Sequence, residues 1–596
     1  MYMNKIIGLL FCFLTLFHLN AQTIDLTEKE QREIYEIVES VVKKKNLVGI
    51  SFAVTYKDKI LYKDAIGYQE KSTKAKASTQ TAFAIGSITK LLTVTAIMQL
   101  VEQEKINLNE SIEKYIPEFS IKTRFSGKEK DYSIRNLMTH HSGLPSDYLK
   151  GLISKEVWTI DALIDALKFD YQPVPSNTIS TYSNVAFSLL GKVIENVSGL
   201  TYEDYIHQYI FEPLEMRHSA FRDDHPNVKG RLSKGYSKKE ELNRYPMRDV
   251  AAGACVTSVE DMSNFMQMYL NNGSYKGKQI LKPSSIKALW KHQNENIALD
   301  FDFEIGLTWR LGNNQGVSNF VQSTPIKMHT GSTVLFCNIL MLAPEKDIGV
   351  VVMENTARMN NTTNNIGNDI MKYLLETKFG LKKPNSFLPE RQKGIEDIDF
   401  DRLPGSYATE FGLINIDKRG KRLHADLLGR KFKMIPHENN TFGIKFRLLG
   451  FIPIGIGALS DIRLSHEKVE NKEVLVFNDH SGGKMFFGTK FHPTDFDGNW
   501  KRRIGKYEVI NLEKDYQIVH DMEIKEYNGI LYMQFIPKLY EKFPIRMPLK
   551  VLNDKQAIVE GYARWQGETV YFEELEEHGI VFKHLGYFYK KVKKNE

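Results

Sequence analysis

Cysteine is nearly absent from this chain, with three residues in 596, and one of them, Cys12, lies inside an apolar N-terminal run. Cys255 and Cys337 are too few for the disulfide framework of a stapled secreted domain. They are expected as two buried thiols, with a single bridge as the alternative. An excess of one charge is missing too. The net charge is +7, from 80 Lys and Arg interspersed with 73 Asp and Glu, and no basic block is dense enough to argue for a nucleic-acid partner. No His, Cys and Asp spacing matches a zinc site, so neither metal nor cofactor is expected. Beyond the N-terminal leader no stable membrane span is expected, since spanning needs about 20 consecutive apolar residues.

What is present is the composition of an ordinary globular protein, 42% hydrophobic and 26% charged. The length is too great for one core and implies three or four domains. At the N-terminus Lys5 precedes an apolar run from Ile6 to Phe17, and Leu19-Asn20-Ala21 offers a small residue for cleavage before Gln22. Residues 1–21 therefore read as a signal peptide, which predicts export to the periplasm or the extracellular space. Cys12 follows Phe11, where a lipoprotein signal would place a small residue, so lipidation is not expected.

A helix is predicted from about Thr27 to Lys45. Gly49-Ile50-Ser51-Phe52-Ala53-Val54 and Ile60-Leu61-Tyr62-Lys63 flank a Lys57-Asp58-Lys59 turn and predict a hairpin. The next helix carries Ile88, Leu91, Leu92, Val94, Ile97, Leu100 and Val101 on more than one face, which places it in the interior. A second hairpin is expected around Leu342-Ala343-Pro344-Glu345, then a closing helix near Asn365 to Thr377. Strands at both ends with helices between imply an α/β unit over residues 22–380, whose central antiparallel sheet joins distant segments.

Residues 381–399, with Lys382, Lys383, Pro384 and Pro389, read as a linker. Short alternating strands follow. Leu403-Pro404-Gly405-Ser406-Tyr407 recurs as Arg503-Ile504-Gly505-Lys506-Tyr507, and Lys421-Arg422-Leu423-His424-Ala425 parallels Asn528-Gly529-Ile530-Leu531-Tyr532. The repeat predicts two copies of a small antiparallel, lipocalin-like β-barrel, residues 400–495 and 496–596. A single larger β domain is the competing reading.

Ser87-Ile88-Thr89-Lys90, after Gly86 and at the head of the apolar helix, carries the chemistry. Positions i and i+3 share a helix face, so Ser87 Oγ and Lys90 Nζ can meet. First-turn N–H groups and the macrodipole favour negative charge developing at the serine. Alone the pattern is weak, since Ser40…Lys43, Ser111…Lys114, Ser284…Lys287, Ser465…Lys468 and Ser481…Lys484 also match. Two further motifs follow in order: Tyr182-Ser183-Asn184 before the helical stretch Val185 to Val197, and His329-Thr330-Gly331 before a strand from Val334 to Met341. Tyr269-Leu270-Asn271 and His141-Ser142-Gly143 show that each is weak by itself. Together and in order they are specific.

With these motifs the chain resembles the serine β-lactamase and penicillin-recognising family, whose signatures are S-x-x-K, S-D-N or Y-x-N, and K-T-G or H-x-G. Tyr182 points to the branch of class C β-lactamases, D-alanyl-D-alanine carboxypeptidases, D-aminopeptidases and related esterases. Arg135 to Pro145 and Ala252 to Met262 are similar to stretches of that branch, and the resemblance covers about residues 30–380. It implies a β-lactamase/transpeptidase-like catalytic domain. Ser87 would form the acyl-enzyme, Lys90 or Tyr182 would take its proton, and Asn184 would bond Lys90 and the substrate carbonyl. His329, Thr330, Gly331 and Ser332 would bind substrate, with the backbone N–H groups of Ser87 and Ser332 as oxyanion hole. The residues themselves agree. A serine hydroxyl needs a base, and a buried Lys90 would have its pKa lowered. His329 stands where β-lactamases mostly carry Lys and gives a weaker, pH-dependent positive field. Trp309-Arg310 is a candidate carboxylate binder, while His140 and His141 read as loop scaffolding.

The favoured expectation is an exported serine peptidase or amidase acting on D-amino-acid-containing or cell-wall-related peptides, peptidoglycan fragments among them. An esterase or weak β-lactamase using the same residues is the alternative, with small peptide, ester or β-lactam substrates. A penicillin-binding sensor or scaffold is the alternative of another class, and a lipid carrier built on the barrels a remote one. The apolar, Gly-rich stretch Leu448 to Leu459 is read either as a buried strand and turn or as a loop that docks on the catalytic domain.

Overall fold

The computed structural model describes residues 24–592 apart from 157, 238–239, 243, 313–323, 358–361, 382–398, 428–429, 449–451, 455–462, 479–482 and 539–543. The expected signal peptide, nearly all of the expected linker and most of the Leu448 to Leu459 stretch thus lie outside the described residues.

The catalytic domain opens with α1 (Glu28–Lys45), whose Thr27 and Glu30 form a capping box. Strands β1 (Gly49–Tyr56) and β2 (Lys59–Glu70) make the first hairpin. The interior helix α2 (Thr89–Glu102) is entered through a 3-10 turn at Gly86–Ile88, and α3 (Asn184–Ser198) starts at the second motif. Three consecutive strands, β3 (Lys327–Ser332), β4 (Cys337–Ala343) and β5 (Ile348–Glu354), precede the closing helix α4 (Thr362–Phe379). The order across the antiparallel sheet is Glu304–Ile305, Arg310–Leu311, β3, β4, β5, β1, β2 and Ala75–Lys76. First and last segments of the domain meet at its centre, Phe52 opposite Val352 and Val54 opposite Val350.

Strand alternation sends neighbouring side chains to opposite faces. Phe52 and Val54 pack with Ile34 and Val38 of α1 and Ile370 and Leu374 of α4. Ala53 points into the larger core, which contains Leu91, Leu92 and Ile97 of α2 and Phe187 and Leu190 of α3. The sheet is therefore covered by helices on both faces, and α2 is buried all round, as its sequence predicts.

The third motif departs from expectation. His329 to Ser332 do not precede a strand; they are the end of β3, and the turn to the next strand spans Thr333 to Phe336. Nor is β3 a wholly free edge, because Met328 and Lys327 pair with Arg310 and Leu311. That outer ladder stops at Met328, so His329 to Ser332 keep an open side toward Ser87.

Two closed eight-stranded antiparallel barrels follow. In the first, Gly405–Thr409 pairs with Lys484–Phe491, and Arg430–His437 pairs with Thr441–Leu448 to close the ring, with the short strand Ile452–Ile454 appended. In the second, Gly505–Val509 pairs with Tyr587–Lys591. The sequence repeat has a structural counterpart. Tyr407 donates its hydroxyl to the Leu403 carbonyl at 2.8 Å, and Tyr507 does the same to Arg503 at 2.6 Å. Gly405 and Gly505 sit at φ +146° and +149°, where a Cβ would strike Lys490 or Lys591. Leu423 and Ile530 each begin the third strand of their barrel.

Candidate active site

Between Thr81 and Met98, Ser87 alone is not buried. Gly86 makes that exposure compatible with a close neighbour. Its φ is +54°, and a Cβ there would lie 2.8 Å from the backbone nitrogen of Ser332. Gly331 is its counterpart, because a Cβ there would overlap the Ile85 carbonyl. Two glycines thus let the Ser87 turn and the end of β3 run against each other. Asn338 of β4 fastens them, its side-chain nitrogen donating to Ala84 O at 3.0 Å and Gly331 O at 3.2 Å.

Lys90 is completely buried one turn after Ser87. Its Nζ lies 2.7 Å from the Ala252 carbonyl, 2.7 Å from Asn184 Oδ1 and 3.3 Å from Ser87 Oγ. Burial pulls its pKa below the ordinary lysine value; Tyr182 and Asp147 oppose that fall, and Arg564 adds to it. The Tyr182 ring centroid is 4.8 Å from Nζ. On its other side Tyr182 packs against His140, centroids 4.4 Å apart.

The second motif is held by a loop. Ser183 caps α3 and donates its hydroxyl to Pro145 O at 2.6 Å, while its own N–H donates to His140 Nδ1 at 3.2 Å. The Asn184 N–H donates to Ser146 O at 2.7 Å. His140 is buried and held well below the usual histidine range by desolvation and by the charge of Lys90, so it is neutral. It belongs to the site, whereas His141 is scaffolding, bonded to Asp300 at 2.8 Å.

His329 is also buried. Burial, then the charges of Arg310 and Lys90, push its pKa down to about 3. Its Nδ1 lies 2.6 Å from the Thr330 carbonyl. A carbonyl can only accept, so Nδ1 carries the proton and Nε2 is an acceptor. His329 therefore contributes no positive field at neutral pH; Arg310 lines the same cavity.

Asp147 is the residue that the sequence does not announce. It is buried, its Oδ1 accepts from Asn184 Nδ2 at 2.7 Å, and its Oδ2 accepts from three donors of the second barrel. These are Arg564 Nε at 2.9 Å, Arg564 Nη2 at 2.6 Å and Trp565 Nε1 at 2.7 Å. Burial raises its pKa, but the Arg564 charge and these hydrogen bonds outweigh it and hold the carboxyl below its usual value. The Tyr562 to Gln566 loop is itself tied on both sides: Thr181 donates to Tyr562 O at 3.2 Å, and Gln566 donates to Thr409 O of the first barrel at 2.7 Å.

All three domains therefore wall the cavity over Ser87, which has a volume of about 430 Å³. The catalytic domain supplies Ser87, Tyr182, Arg310, His329 and Ser332; the first barrel Glu410 and Phe486; the second Tyr562 and Arg564. Among the described residues the docking is made by these turns; most of the Leu448 to Leu459 stretch lies outside them. No disulfide joins Cys255 and Cys337; Cys255 is buried as expected, whereas Cys337 is only half-buried.

The Beta-lactamase family model matches residues 34–367, and the chain belongs to that family, whose members are generally serine hydrolases. Among curated relatives, Protein flp of Staphylococcus aureus (strain MW2) is 26% identical over 341 residues, covering 55% of this chain and 64% of its own length. Beta-lactamase-like protein 2 of Dictyostelium discoideum is 28% identical over 261 residues, covering 41% of this chain and 46% of its own. The chain thus spans less than two thirds of either relative. Among solved structures, that of SurE with D-Leu superposes with a TM-score of 0.53 at 17% identity, covering 77% of this chain and 100% of the other; this is a likeness of fold.

Proposed function

We propose that the protein is an exported serine hydrolase that forms an acyl-enzyme on Ser87 and cleaves amides in D-amino-acid-containing, cell-wall-related peptides. The observation that carries the reading is the geometry around Lys90. Two acceptors at 2.7 Å, Ala252 O and Asn184 Oδ1, take two N–H bonds. A neutral amine has only two, so its lone pair is left facing Ser87 Oγ.

Lys90 takes the hydroxyl proton as Ser87 Oγ bonds to the substrate carbonyl carbon. The oxyanion is received by the N–H groups of Ser87 and Ser332, each such donor typically worth about 10²–10³ in rate. Collapse breaks the C–N bond, and the leaving amine takes a proton from the Lys90–Tyr182 pair. Water, deprotonated by the same pair, then cleaves the ester and restores Ser87.

Substrate class rests on the walls. The neutral His329 favours a peptide over a β-lactam whose carboxylate needs a fixed cation at that position. Arg310 offers a guanidinium for the terminal carboxylate of a short peptide, and the three-domain enclosure suits a short substrate. The leader-like residues 1–21 support export. The test is turnover of D-Ala-D-Ala peptides, N-terminal D-amino-acid peptides, a chromogenic ester and a penicillin by wild type and Ser87→Ala. Peptide turnover lost in Ser87→Ala is expected. Turnover of the ester or penicillin alone would reassign the enzyme, and equal behaviour of the two proteins on every substrate would remove the hydrolase reading.

A further inference from the structure

Resting on the acyl-enzyme reading, we propose that Arg564 of the second barrel is a positioning residue for Ser87: through Asp147 it locks the Asn184 amide so that the Lys90 lone pair faces the nucleophile.

The Asn184 side chain has one accepting and one donating end. Lys90 needs the accepting end. If the amide turned over, Nδ2 would face Nζ, and the amine would satisfy that donor with the lone pair that Ser87 requires. Asp147 decides the orientation, because an ionised carboxylate only accepts and so draws Nδ2 to itself at 2.7 Å. A protonated Asp147 could donate, and the constraint would be gone.

Asp147 is buried, and an isolated buried carboxylate takes up a proton instead of staying charged. Arg564 prevents this with two hydrogen bonds to Oδ2, joined by Trp565 Nε1 on the same atom. The chain of contacts runs Arg564, Asp147, Asn184, Lys90, Ser87, and every link is a direct hydrogen bond.

The pair also balances charge around Lys90. The groups facing Nζ are Ser87 on its own helix, Tyr182 and His140 from the α3 side, His329 and Arg310 from the sheet edge, and Asp147 with Arg564 across the interface. Asp249, whose backbone carbonyl accepts from the Ala252 N–H at 3.0 Å, carries a further buried carboxyl, held above its usual value by burial and paired with Arg248 at 2.7 Å. Both histidines are neutral. Arg564 and Asp147 act on Lys90 with opposite signs; without the guanidinium the Asp147 carboxyl takes up its proton at a higher pH, and below that pH the lock on Asn184 is lost.

A purely adhesive role for Arg564 is a poorer account, because the barrel is anchored elsewhere. Lys150 pairs with Asp515 at 3.0 Å, Leu149 N–H donates to Leu585 O at 2.9 Å, and Tyr516 N–H donates to Ile153 O at 2.9 Å.

The experiment compares wild type, Arg564→Gln, Arg564→Lys and the double variant Asp147→Asn/Arg564→Gln. It reads the pH dependence of Ser87 labelling by a fluorophosphonate, the melting temperature, and the ligand-free neutron crystal structure of Arg564→Gln, which separates the amide oxygen from the nitrogen. Arg564→Gln is expected to fold, to label about 10- to 100-fold more slowly, the range of a lost charge-assisted contact, and to shift its acid limb to higher pH. Arg564→Lys should fall between it and wild type. The double variant should lose no more than Arg564→Gln alone, because the two residues act as one unit. Wild-type rate and acid limb in folded Arg564→Gln, or a crystal structure in which Asn184 Oδ1 still faces Lys90 unchanged, would overturn the proposal. If the probe leaves wild-type Ser87 unlabelled, the acyl-enzyme reading fails, and the Arg564→Gln structure still decides the positioning claim.

Discussion

Leu149 of the catalytic domain is buried in the core of the second barrel, and its N–H donates to the carbonyl of Leu585 at 2.9 Å. The loop that carries Asp147 is thus partly built into another domain. Arg248 binds the same loop from within the catalytic domain, donating to Lys150 O at 2.7 Å and Tyr148 O at 2.9 Å. Leu149→Ala is expected to destabilise the protein by about 2–5 kcal/mol, the usual cost of a large-to-small core substitution. It should also slow Ser87 acylation, since Asp147 is two residues away. Denaturant unfolding and labelling kinetics on the one variant check both effects.

Gly86→Ala tests the close approach at the nucleophile. The new Cβ would need 2.8 Å of space against Ser332 N at a φ of +54°, strained for any L side chain. Separation of the two oxyanion donors should cut kcat by about 10²–10³, the value of one such donor. Pre-steady-state acylation rates provide the measure, and an unaltered rate would remove Ser332 from the oxyanion hole.

Acid should weaken the fold through buried neutral histidines. His329 is pushed down to about 3 and His584 of the second barrel to about 4, both by burial. Unfolded, each takes a proton near pH 6.5. Below that pH the unfolded state binds more protons than the folded one, so stability is full above about 6.5 and declines as pH falls toward the folded values. The slope is about 1.4 kcal/mol per pH unit per histidine. Urea unfolding at pH 7 and pH 5 measures the slope, and His584→Leu should reduce it while leaving Ser87 labelling unchanged.

The tyrosine hydrogen bonds that begin each barrel should have similar values, because they recur in the same geometry. Tyr407→Phe and Tyr507→Phe are each expected to cost about 0.5–1.5 kcal/mol, with the Leu403 or Arg503 carbonyl losing its partner. Differential unfolding of the pair checks the equivalence.

Much of this architecture is legible in the sequence because it rests on local signals. The apolar face pattern of α2, the two hairpins and the Gly-x-Tyr repeat are each contained within a short window. Ser87, Lys90, Tyr182 and Asn184 are recognisable from the order of their motifs, and the structure brings them together. Two details were not local. His329 to Ser332 end a strand because Lys327 pairs with Leu311 and Leu342 on either side, which no pattern within 327–332 states. Asp147 and Arg564 lie 417 residues apart, and neither sits in a motif. An Asp in a loop and an Arg in a β domain are ordinary surface residues until the docking of two domains buries their contact.

The most direct measurement is acid-quenched intact-mass analysis with peptide mapping, after brief incubation with a D-Ala-D-Ala peptide ester at pH 8. A mass increase equal to the acyl group, located on Ser87 and absent from Ser87→Ala and Lys90→Ala, is the predicted result. An adduct on another residue, or hydrolysis that proceeds undiminished in Ser87→Ala, would contradict the account.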